Sequence, residues 1–520
     1  MNVSRREVLK IAASLGILPV LPTLAGCGDS ASSGAPLPEY EYDGPQGPED
    51  LFALGVASGD PLCDAVILWT RADAGDGLEV DVFWEVARDE GFQERVGAGW
   101  ILADEDTDFT CKLDAVGLES GTTYYYRFQA MGRVSAVGRT RTLPEGPTER
   151  FSIAAASCSR YNGGYFSGYR HIAEQPVDLV VHLGDYIYEY GSQGPVRPHD
   201  PPKEIFTLDE YRRRYKQYRS DPDLQEAHRR HPFSAIQDDH ESANNCWAGG
   251  APAHDEDLYG PWAERRAAAD RAYSEYMPHR PQAGGRMYRA LQCGDLLDIV
   301  LLDTRSYRDE QIADGADVAG IQDPGRTMLG AEQEAWVGEQ FGKSRGRWVV
   351  VGNQVIFSPW KVIGAPNASG GGLIANVDGW DGYQQTRSNL FAALRDAGNP
   401  DLIVLTGDVH SSWAFEVAED PNNPDAYDPE TGRGSAGVEF VTPGITSTFA
   451  FPGLDAVFRN ANPHLMWSET VSQGYLVLDL TPDRAEVSWF HLDDVTSPDS
   501  GQSLAKQFRV EHGTKHLVEL

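Results

Sequence analysis

The order of apolar and polar positions divides the chain into two parts with different secondary structure. From about residue 48 to 144, short stretches alternate or run apolar and are rich in β-branched and aromatic residues, which predicts strands. From residue 151 onward, short apolar runs alternate with longer segments of helical period. We therefore expect an all-β domain followed by an α/β domain.

The predicted elements of the two parts can be placed along the chain. Strands of the first part span 65–71, 80–87 and 123–131. Strands of the second part span 151–157, 178–184, 233–237, 296–303, 347–355 and 401–407. The helices between them cover 168–175, 208–219, 261–276, 330–341 and 384–397. Since helices between strands cover the faces of a sheet, we expect a four-layer α/β sandwich of mixed β-sheets flanked by helices.

The first part resembles a fibronectin type III-like β-sandwich. Its segment LESGTTYYYRF places Tyr124 near the start of a late strand, where such sandwiches carry a tyrosine corner. Proline and glycine in LPEGPTER mark a boundary near residue 144. The expected parts of the chain are a signal peptide at 1–27, a flexible linker at 28–47, the β-sandwich domain at 48–144, the α/β domain at 150–500 and a C-terminal tail at 501–520.

The N-terminal residues have the features of an export signal. Arg5 and Arg6 resemble the pair in a twin-arginine signal, and the apolar stretch Ile11–Leu24 is shorter than the ~20 residues of a membrane-spanning helix. LAGC resembles a lipoprotein processing site, in which Cys27 would be lipidated. The alternative is an ordinary secretory signal with a chance cysteine. We expect export by the twin-arginine pathway to the periplasm or cell surface, with a lipid as the sole membrane anchor.

The charge of the chain restricts its partners. The net charge is −34, which disfavours binding to nucleic acid. An anionic substrate would need bound cations or local arginines to reverse the field at the site. A salty habitat would also explain the excess of acidic residues.

The cysteines suggest two disulfides and one thiol with another role. Once Cys27 is set aside, five cysteines remain, which is an odd number for an exported protein. Cys63 and Cys111 both belong to the first part, so a disulfide between them is plausible, and Cys246 and Cys293 could form a second. The remaining cysteine, Cys158, is either an inert buried residue or a metal ligand.

Ligand-type side chains follow four predicted strands. Two of these strands are near-copies, DLVVHLGD at 178–185 and DLIVLTGD at 401–408. The side chains at the four strand ends are Cys158, then Asp185 and Tyr188, then Asp238, Asp239, His240, Asn244 and Asn245, and finally Asp408 and His410. In open α/β sheets ligands bind beyond the carboxyl ends of strands, so these groups could converge.

The residue types indicate a mixed metal site. Thiolate and phenolate favour a transition ion such as iron, while carboxylate and amide oxygens suit calcium or magnesium. Each group alone also has a structural explanation, because an aspartate after a strand is commonly a helix cap and paired asparagines are common in turns. The conjunction of four strand ends favours the metal site.

These motifs, in this order, resemble those of PhoD-type alkaline phosphatases of the calcineurin-like metallophosphoesterase superfamily. The motifs are SCSRYNGGYFSGYRHI, HLGDYIYEYG, DDHESANN, VGNQV, WDGYQQTRSNL and LTGDVHSSWAFEV. The resemblance covers roughly residues 48–500 and implies that the α/β domain is a metallophosphoesterase catalytic domain. Ser242 and Ala243 depart from the bulkier residues that the resemblance leads us to expect.

The resemblance implies a role for each of these side chains. Fe³⁺ would be held by Cys158, Asp185, Tyr188 and His410. Ca²⁺ would be held by Asp185 as a bridge, together with Asp239, Asp408 and Asn245. His240 would act at the leaving group or the phosphate, and Arg160 would bind phosphate. The expected function is hydrolysis of phosphate mono- or diesters by a secreted monomer with a role in phosphate acquisition.

Two alternatives are open, one from a different class of protein and one within the enzymes. A cell-surface binding protein could carry the same site as a structural metal site, although none of the expected ligands is missing. A purple-acid-phosphatase-like monoesterase with two transition metals would want histidines in place of Gln354 and Asp408.

Overall fold

A computed structural model describes residues 36–75, 77–191, 196–369 and 371–520. The predicted signal peptide with Cys27, and the linker as far as residue 35, lie outside the described residues. Among the residues that the structure describes, no helix combines the length and apolar character that a membrane span requires.

The strands and helices of the described residues are numbered in chain order. The strands are β1 Val56–Gly59, β2 Ala65–Arg71, β3 Val80–Ala87, β4 Arg95–Ala103, β5 Thr110–Val116, β6 Thr123–Ala130, β7 Arg133–Val134, β8 Gly138–Arg141, β9 Phe151–Ala156, β10 Leu179–His182, β11 Pro232–Ala235, β12 Arg289–Cys293, β13 Leu297–Leu301, β14 Trp348–Asn353, β15 Lys361–Ile363, β16 Leu373–Ile374, β17 Asp401–Thr406, β18 Ser412–Ala418, β19 Ser435–Val441, β20 Leu465–Glu469, β21 Gly474–Leu480, β22 Arg484–Leu492, β23 Gln502–Glu511 and β24 Val518–Glu519. The helices are α1 Ser167–Glu174, α2 Leu208–Arg219, α3 Pro222–Arg230, α4 Glu256–Tyr259, α5 Trp262–Tyr276, α6 Val318–Ile321, α7 Gly330–Lys343, α8 Gln384–Asp396 and α9 Asp455–Ala461.

Two mixed sheets form the centre of the fold. One has the order β24-β23-β22-β21-β9-β10-β11-β1-β2-β5, in which β9, β10, β11 and β1 are parallel. The other has the order β12-β13-β14-β17-β19-β18-β20, in which β13, β14, β17 and β19 are parallel. The parallel strands are buried on both faces, which explains their unbroken apolar runs.

Helices cover the outer faces of the two sheets. Ile153 and Val181 from one sheet pack with Val350 and Ile403 from the other in a core between them. Side chains of α1, α2, α3 and α5 cover the ten-stranded sheet, and those of α7 and α8 cover the seven-stranded sheet. The predicted four-layer sandwich of mixed sheets flanked by helices is therefore confirmed.

The N-terminal part is built on the same sheet as the α/β domain. Strands β1, β2 and β5 continue the ten-stranded sheet beyond β11, and β3, β4, β6, β7 and β8 form a second sheet. Val66 and Leu68 pack against Val82 and Phe128 between them. The hydroxyl of Tyr124 accepts a hydrogen bond from the main-chain N–H of Glu119 at 2.8 Å, as in a tyrosine corner.

Two sequence predictions are wrong. Residues 501–520 are not a tail, because β23 pairs with β22 through nine residue pairs and β24 pairs with β23. The disulfides Cys63–Cys111 and Cys246–Cys293 are not formed, because the thiols of Cys111, Cys246 and Cys293 are unbonded. Cys293 lies in the core between the two sheets, whereas Cys246 packs in a separate small cluster with Trp262.

Candidate metal centre

The predicted ligands lie on loops that leave strands at one edge of the fold. Strands β9, β10 and β11 are parallel neighbours, so their carboxyl ends lie at the same edge of the sheet. They deliver Cys158, Asp185 and Asp239, while β17 of the other sheet delivers Asp408 and His410. The two near-identical GD segments therefore reach the site from different sheets.

The backbone at these positions is unusual. Cys158, Asp185, Asn245, Asp408 and His410 all have positive φ, between 50° and 65°, although none is glycine. Such conformations cost free energy and cluster at functional sites.

Gly184 lets the chain turn into the site. Its φ is +100°, and a Cβ there would lie 2.4 Å from Cβ of Asp238. Both features exclude other residues, so this glycine allows the loops after β10 and β11 to lie close together.

The predicted iron ligands converge. Ligand atoms of Cys158, Asp185 and His410 all lie within 4.8 Å of one another. The hydroxyl of Tyr188 lies 2.9 Å from Oδ2 of Asp185 and 3.1 Å from Nε2 of His410. The Tyr188 hydroxyl also forms a hydrogen bond of 2.7 Å with Oγ of Ser447, a residue that the sequence reasoning missed.

Carboxylates extend this cluster on the other side of Asp185. Ligand atoms of Asp185, Asp239 and His240 lie within 4.8 Å of one another, and so do those of Asp238, Asp239 and Asp408. Asp185 belongs to both the thiol-containing group and the carboxylate group. This is the position that a bridging carboxylate requires.

The orientation of His410 suits a metal ligand. Its Nδ1 lies 3.1 Å from the main-chain oxygen of Thr448, which accepts a hydrogen bond only from a protonated Nδ1. The lone pair of Nε2 therefore points toward Asp185 and Tyr188. A hydrogen bond from the second ring nitrogen is the usual way in which proteins orient a metal-binding histidine.

The electrostatics of the cluster call for a cation. Burial raises the pKa of Cys158, Asp185 and Tyr188 well above their ordinary values, and charges of neighbouring acids raise them further. Burial also raises the pKa of Asp408 to about 7. A metal ion reverses this effect, because it stabilises thiolate, phenolate and carboxylate directly. Donor chemistry and burial thus both fit a metal centre.

Arg305 supplies positive charge next to the carboxylates. Its guanidinium pairs with Asp238 and lies 3.8 Å from Asp239, 2.6 Å from Asp378 and 3.0 Å from Asp408. Although burial opposes ionisation of Asp239, the charge of Arg305 holds the pKa of Asp239 below its ordinary value. The sequence reasoning missed Arg305, although it lies directly after the predicted strand 296–303.

His240 is held by a carboxylate that the sequence reasoning also missed. Oε2 of Glu189 lies 2.7 Å from Nδ1 of His240, and both side chains are buried. The His240 ring packs on Tyr188 with a centroid distance of 4.2 Å. Burial lowers the pKa of His240, but the charges of Glu189, Asp185 and Asp239 outweigh this and raise it well above the ordinary value.

Glu241, the next residue, connects two of the loops. Its carboxylate accepts hydrogen bonds from the main-chain N–H groups of Asp185 at 3.1 Å, Tyr186 at 2.5 Å and Asp238 at 2.7 Å. The loops after β10 and β11 are thereby fixed to each other.

Arg160 and Asn245 lie near the cluster but make other contacts. Nε of Arg160 donates to Oδ1 of Asn162 at 2.7 Å. Asn245 donates its main-chain N–H to Oδ2 of Asp239 at 2.5 Å and its side-chain amide to Gln311 at 3.3 Å.

Gln354 does not face the cluster as a ligand would. Its amide nitrogen donates to the main-chain oxygens of Gln237 at 2.7 Å and Leu302 at 2.9 Å, and its oxygen accepts from Thr304 at 2.8 Å. These contacts use both N–H donors of the amide and one lone pair of its oxygen, and they disfavour the two-transition-metal alternative.

Comparison with known proteins agrees with this fold, which is that of a phosphatase. A family model described as PhoD-like phosphatase matches residues 153–489, and one described as PhoD-like phosphatase, N-terminal domain, matches residues 40–144. The chain therefore belongs to the PhoD-like phosphatase family and is an enzyme.

Two relatives are similar over most of their length. Alkaline phosphatase D of Bacillus subtilis (strain 168) is 36% identical over 484 residues, which cover 88% of this chain and 80% of the relative. A solved structure titled "Structure of PhoD" superposes with a TM-score of 0.85 at 35% identity and covers 92% of this chain and 93% of that one. The predicted family is confirmed, and the alternative of a binding protein is set aside.

Proposed function

We propose that this phosphatase hydrolyses phosphate mono- or diesters at an iron–calcium centre. The observation that carries the proposal is the position of Asp185, which lies in one group with Cys158 and His410 and in another with Asp239. A thiol and a phenol on one side suit iron, and carboxylates on the other side suit calcium.

Each ion has its own set of ligands in this proposal. Cys158, Asp185, Tyr188 and His410 would hold Fe³⁺. Asp185, Asp239, Asp408 and Asn245 would hold Ca²⁺, with Asp238 close by. When bound, the ions supply positive charge that polarises the phosphoryl group and activates a water.

The chain's own residues place the substrate and move a proton. The oxygen of a water forms the new bond to phosphorus and gives up a proton to the solvent, the ester P–O bond breaks, and the leaving oxygen takes up a proton. His240 is the donor of that proton, because its pKa is raised and Glu189 fixes its ring. Arg160 would turn its guanidinium from Asn162 to the phosphate.

Location and physiological role belong to the same proposal. We infer a monomer that is exported by the twin-arginine pathway, held at the periplasmic or cell surface by lipid on Cys27, and used to acquire phosphate. If so, replacing Cys27 by alanine should move the enzyme from the membrane fraction to the soluble fraction. Unchanged fractionation would contradict the lipid anchor.

The direct test of the reaction is hydrolysis of a chromogenic phosphodiester and the matching monoester at alkaline pH. We expect a calcium chelator to abolish the activity and added calcium to restore it. The ratio of diester to monoester activity then separates the two substrate classes. Activity that persists in full with the chelator would contradict the calcium site.

A further inference from the structure

We propose that an apolar pocket beside the metal centre binds an alkyl or aryl ester group, so that the preferred substrate is a phosphoester with an apolar substituent. The inference rests on the proposed function and narrows its substrate class. The pocket has a volume of about 510 Å³, which is within the usual range for small-molecule sites.

The pocket and the metal centre share a wall. Asp408, Val409 and His410 line the pocket, and Asp408 and His410 also belong to the two groups of ligand atoms. A phosphoryl group held at the ligand cluster would therefore have its ester substituent at the mouth of the pocket.

The floor of the pocket is aromatic and tightly packed. Trp360, Phe449 and Phe458 are each at least nine-tenths buried. Their rings contact one another with centroid distances of 5.2 to 6.3 Å. Because these rings are fixed by mutual packing, the pocket exists before a ligand enters, and its occupation costs little reorganisation.

The rim carries apolar side chains that the described residues of the chain leave exposed. Phe451 is 60% exposed, and Leu454 and Val457 are each 42% exposed. Among the described residues of the lining, the polar groups besides Asp408 and His410 are the Asn376 amide and the indole N–H of Trp360. A glycerol or sugar substituent would leave most of its hydroxyls without partners here, whereas an alkyl or aryl group would bury the exposed rim.

The test measures binding of two phosphonates that cannot be hydrolysed. Methylphosphonate and hexylphosphonate carry the same charged group and differ by five methylenes. Each buried methylene contributes about fourfold to affinity, so incomplete burial still predicts a Kd at least about tenfold lower for hexylphosphonate. Calorimetry on the metal-loaded full chain gives this ratio without any need for turnover.

Variants assign the effect to the pocket. Val457→Asp places a charge on the rim and Phe451→Ser removes a ring. Either variant should reduce the ratio of the methylphosphonate Kd to the hexylphosphonate Kd to below about threefold. The matched control is Val116→Asp, because Val116 is 69% exposed on β5 in the N-terminal part. This control should keep the full ratio.

The outcomes that contradict the inference are distinct from failure of the proposed function. Equal Kd values for the two phosphonates, absence of measurable binding, or a ratio that survives both pocket variants would each overturn the inference. The inference would also be wrong if the two pocket variants kept the wild-type ratio of Kd values but no longer sedimented with phosphatidylcholine vesicles. The rim would then be a membrane-facing surface. A large ratio in a protein that hydrolyses no phosphoester would instead overturn the proposed function and the substrate preference, and would leave the pocket as a binding site for the apolar group.

Discussion

Individual residues at the centre adopt conformations that folding alone would not select. Cys158, Asp185, Asp408 and His410 have left-handed backbone, and such residues cost on the order of 1–3 kcal/mol each. In the proposed function, all four of these residues are metal ligands. The surrounding strands and hydrogen bonds hold this strain and fix the positions of the ligand atoms.

The assignment of Tyr188 as an iron ligand predicts a colour for the iron-loaded protein. In the iron-loaded protein its phenolate should produce a visible charge-transfer band, and Tyr188→Phe should lose that band. The control is Tyr190→Phe, because the Tyr190 hydroxyl donates to Asn244 instead. An iron-replete Tyr188→Phe protein that keeps its colour would contradict the assignment of Tyr188 as a ligand.

His240 should matter for turnover more than for metal binding. Because general acids contribute roughly 10²–10⁴-fold, His240→Ala should lower kcat at least about a hundredfold while iron and calcium contents, measured by plasma mass spectrometry, stay close to wild type. His512→Ala, at a half-exposed site paired with Asp401, serves as the control. Parallel loss of metal and activity would refute the proposed role.

At the scale of the elements, the loops after β10 and β11 depend on Glu241. Glutamine is equal in size but cannot accept hydrogen bonds at both side-chain positions, so Glu241→Gln leaves at least one buried N–H without an acceptor. We expect the free energy of unfolding to fall by about 1–3 kcal/mol and metal content to fall with it. Glu226→Gln on α3 removes a surface ion pair and should cost less than about 1 kcal/mol. Chemical denaturation measures the free energy of unfolding of both variants. An equal loss in the two variants would contradict the role of Glu241 in joining the loops after β10 and β11.

Lys112 on β5 makes stability depend on pH. Its ammonium donates to the main-chain oxygen of Ser274 on α5, and burial lowers its pKa from 10.5 to about 8, against the opposing charges of Asp60 and Glu275. Between these pH values the unfolded chain binds more protons than the folded chain, so stability rises with pH. The free energy of unfolding of wild type relative to Lys112→Met should therefore increase from pH 8 to pH 10.5. A flat difference over this range would show that the lysine is not perturbed.

Element prediction succeeded where periodicity decides the structure. The predicted strands at 65–71 and 80–87 and the predicted helix at 208–219 have the observed bounds. The strand β23 was missed because it is held by pairing with β22, and only two of its ten residues are buried. Long-range pairing of this kind leaves little trace in a local pattern.

The same limit applies to the site. Strand-end ligands such as Asp185 and His410 were predictable because each follows an apolar run. Arg305, Glu189 and Glu241 were not, because their roles depend on partners up to 103 residues away. Buried ionised groups need such partners, and only the fold shows which ones they have.

For the whole molecule, the main consequence is that the N-terminal part and the catalytic domain share one sheet. Asp60, fully buried after β1, accepts hydrogen bonds from Nη2 of Arg289 and the main-chain N–H of Arg280, both at 2.7 Å. The two parts should therefore unfold in a single transition rather than separately.

Asp60 allows that coupling to be tested. Removing one partner of a buried ion pair costs about 3–5 kcal/mol, so Asp60→Ala should lower the free energy of unfolding by that amount. Asp114→Ala removes a surface partner of Arg280 and should cost less than about 1 kcal/mol. Two separate thermal transitions in the wild-type protein would contradict the shared sheet as a cooperative unit.

We propose that iron occupies the cluster of thiol, phenol, carboxylate and imidazole. Anomalous diffraction from crystals of the metal-loaded enzyme, recorded on both sides of the iron absorption edge, locates the iron itself. We expect an iron peak among Sγ of Cys158, the hydroxyl oxygen of Tyr188, the carboxylate of Asp185 and Nε2 of His410. A map without an iron peak at that position, from protein that is active in phosphoester hydrolysis, would show that the proposed iron site is wrong.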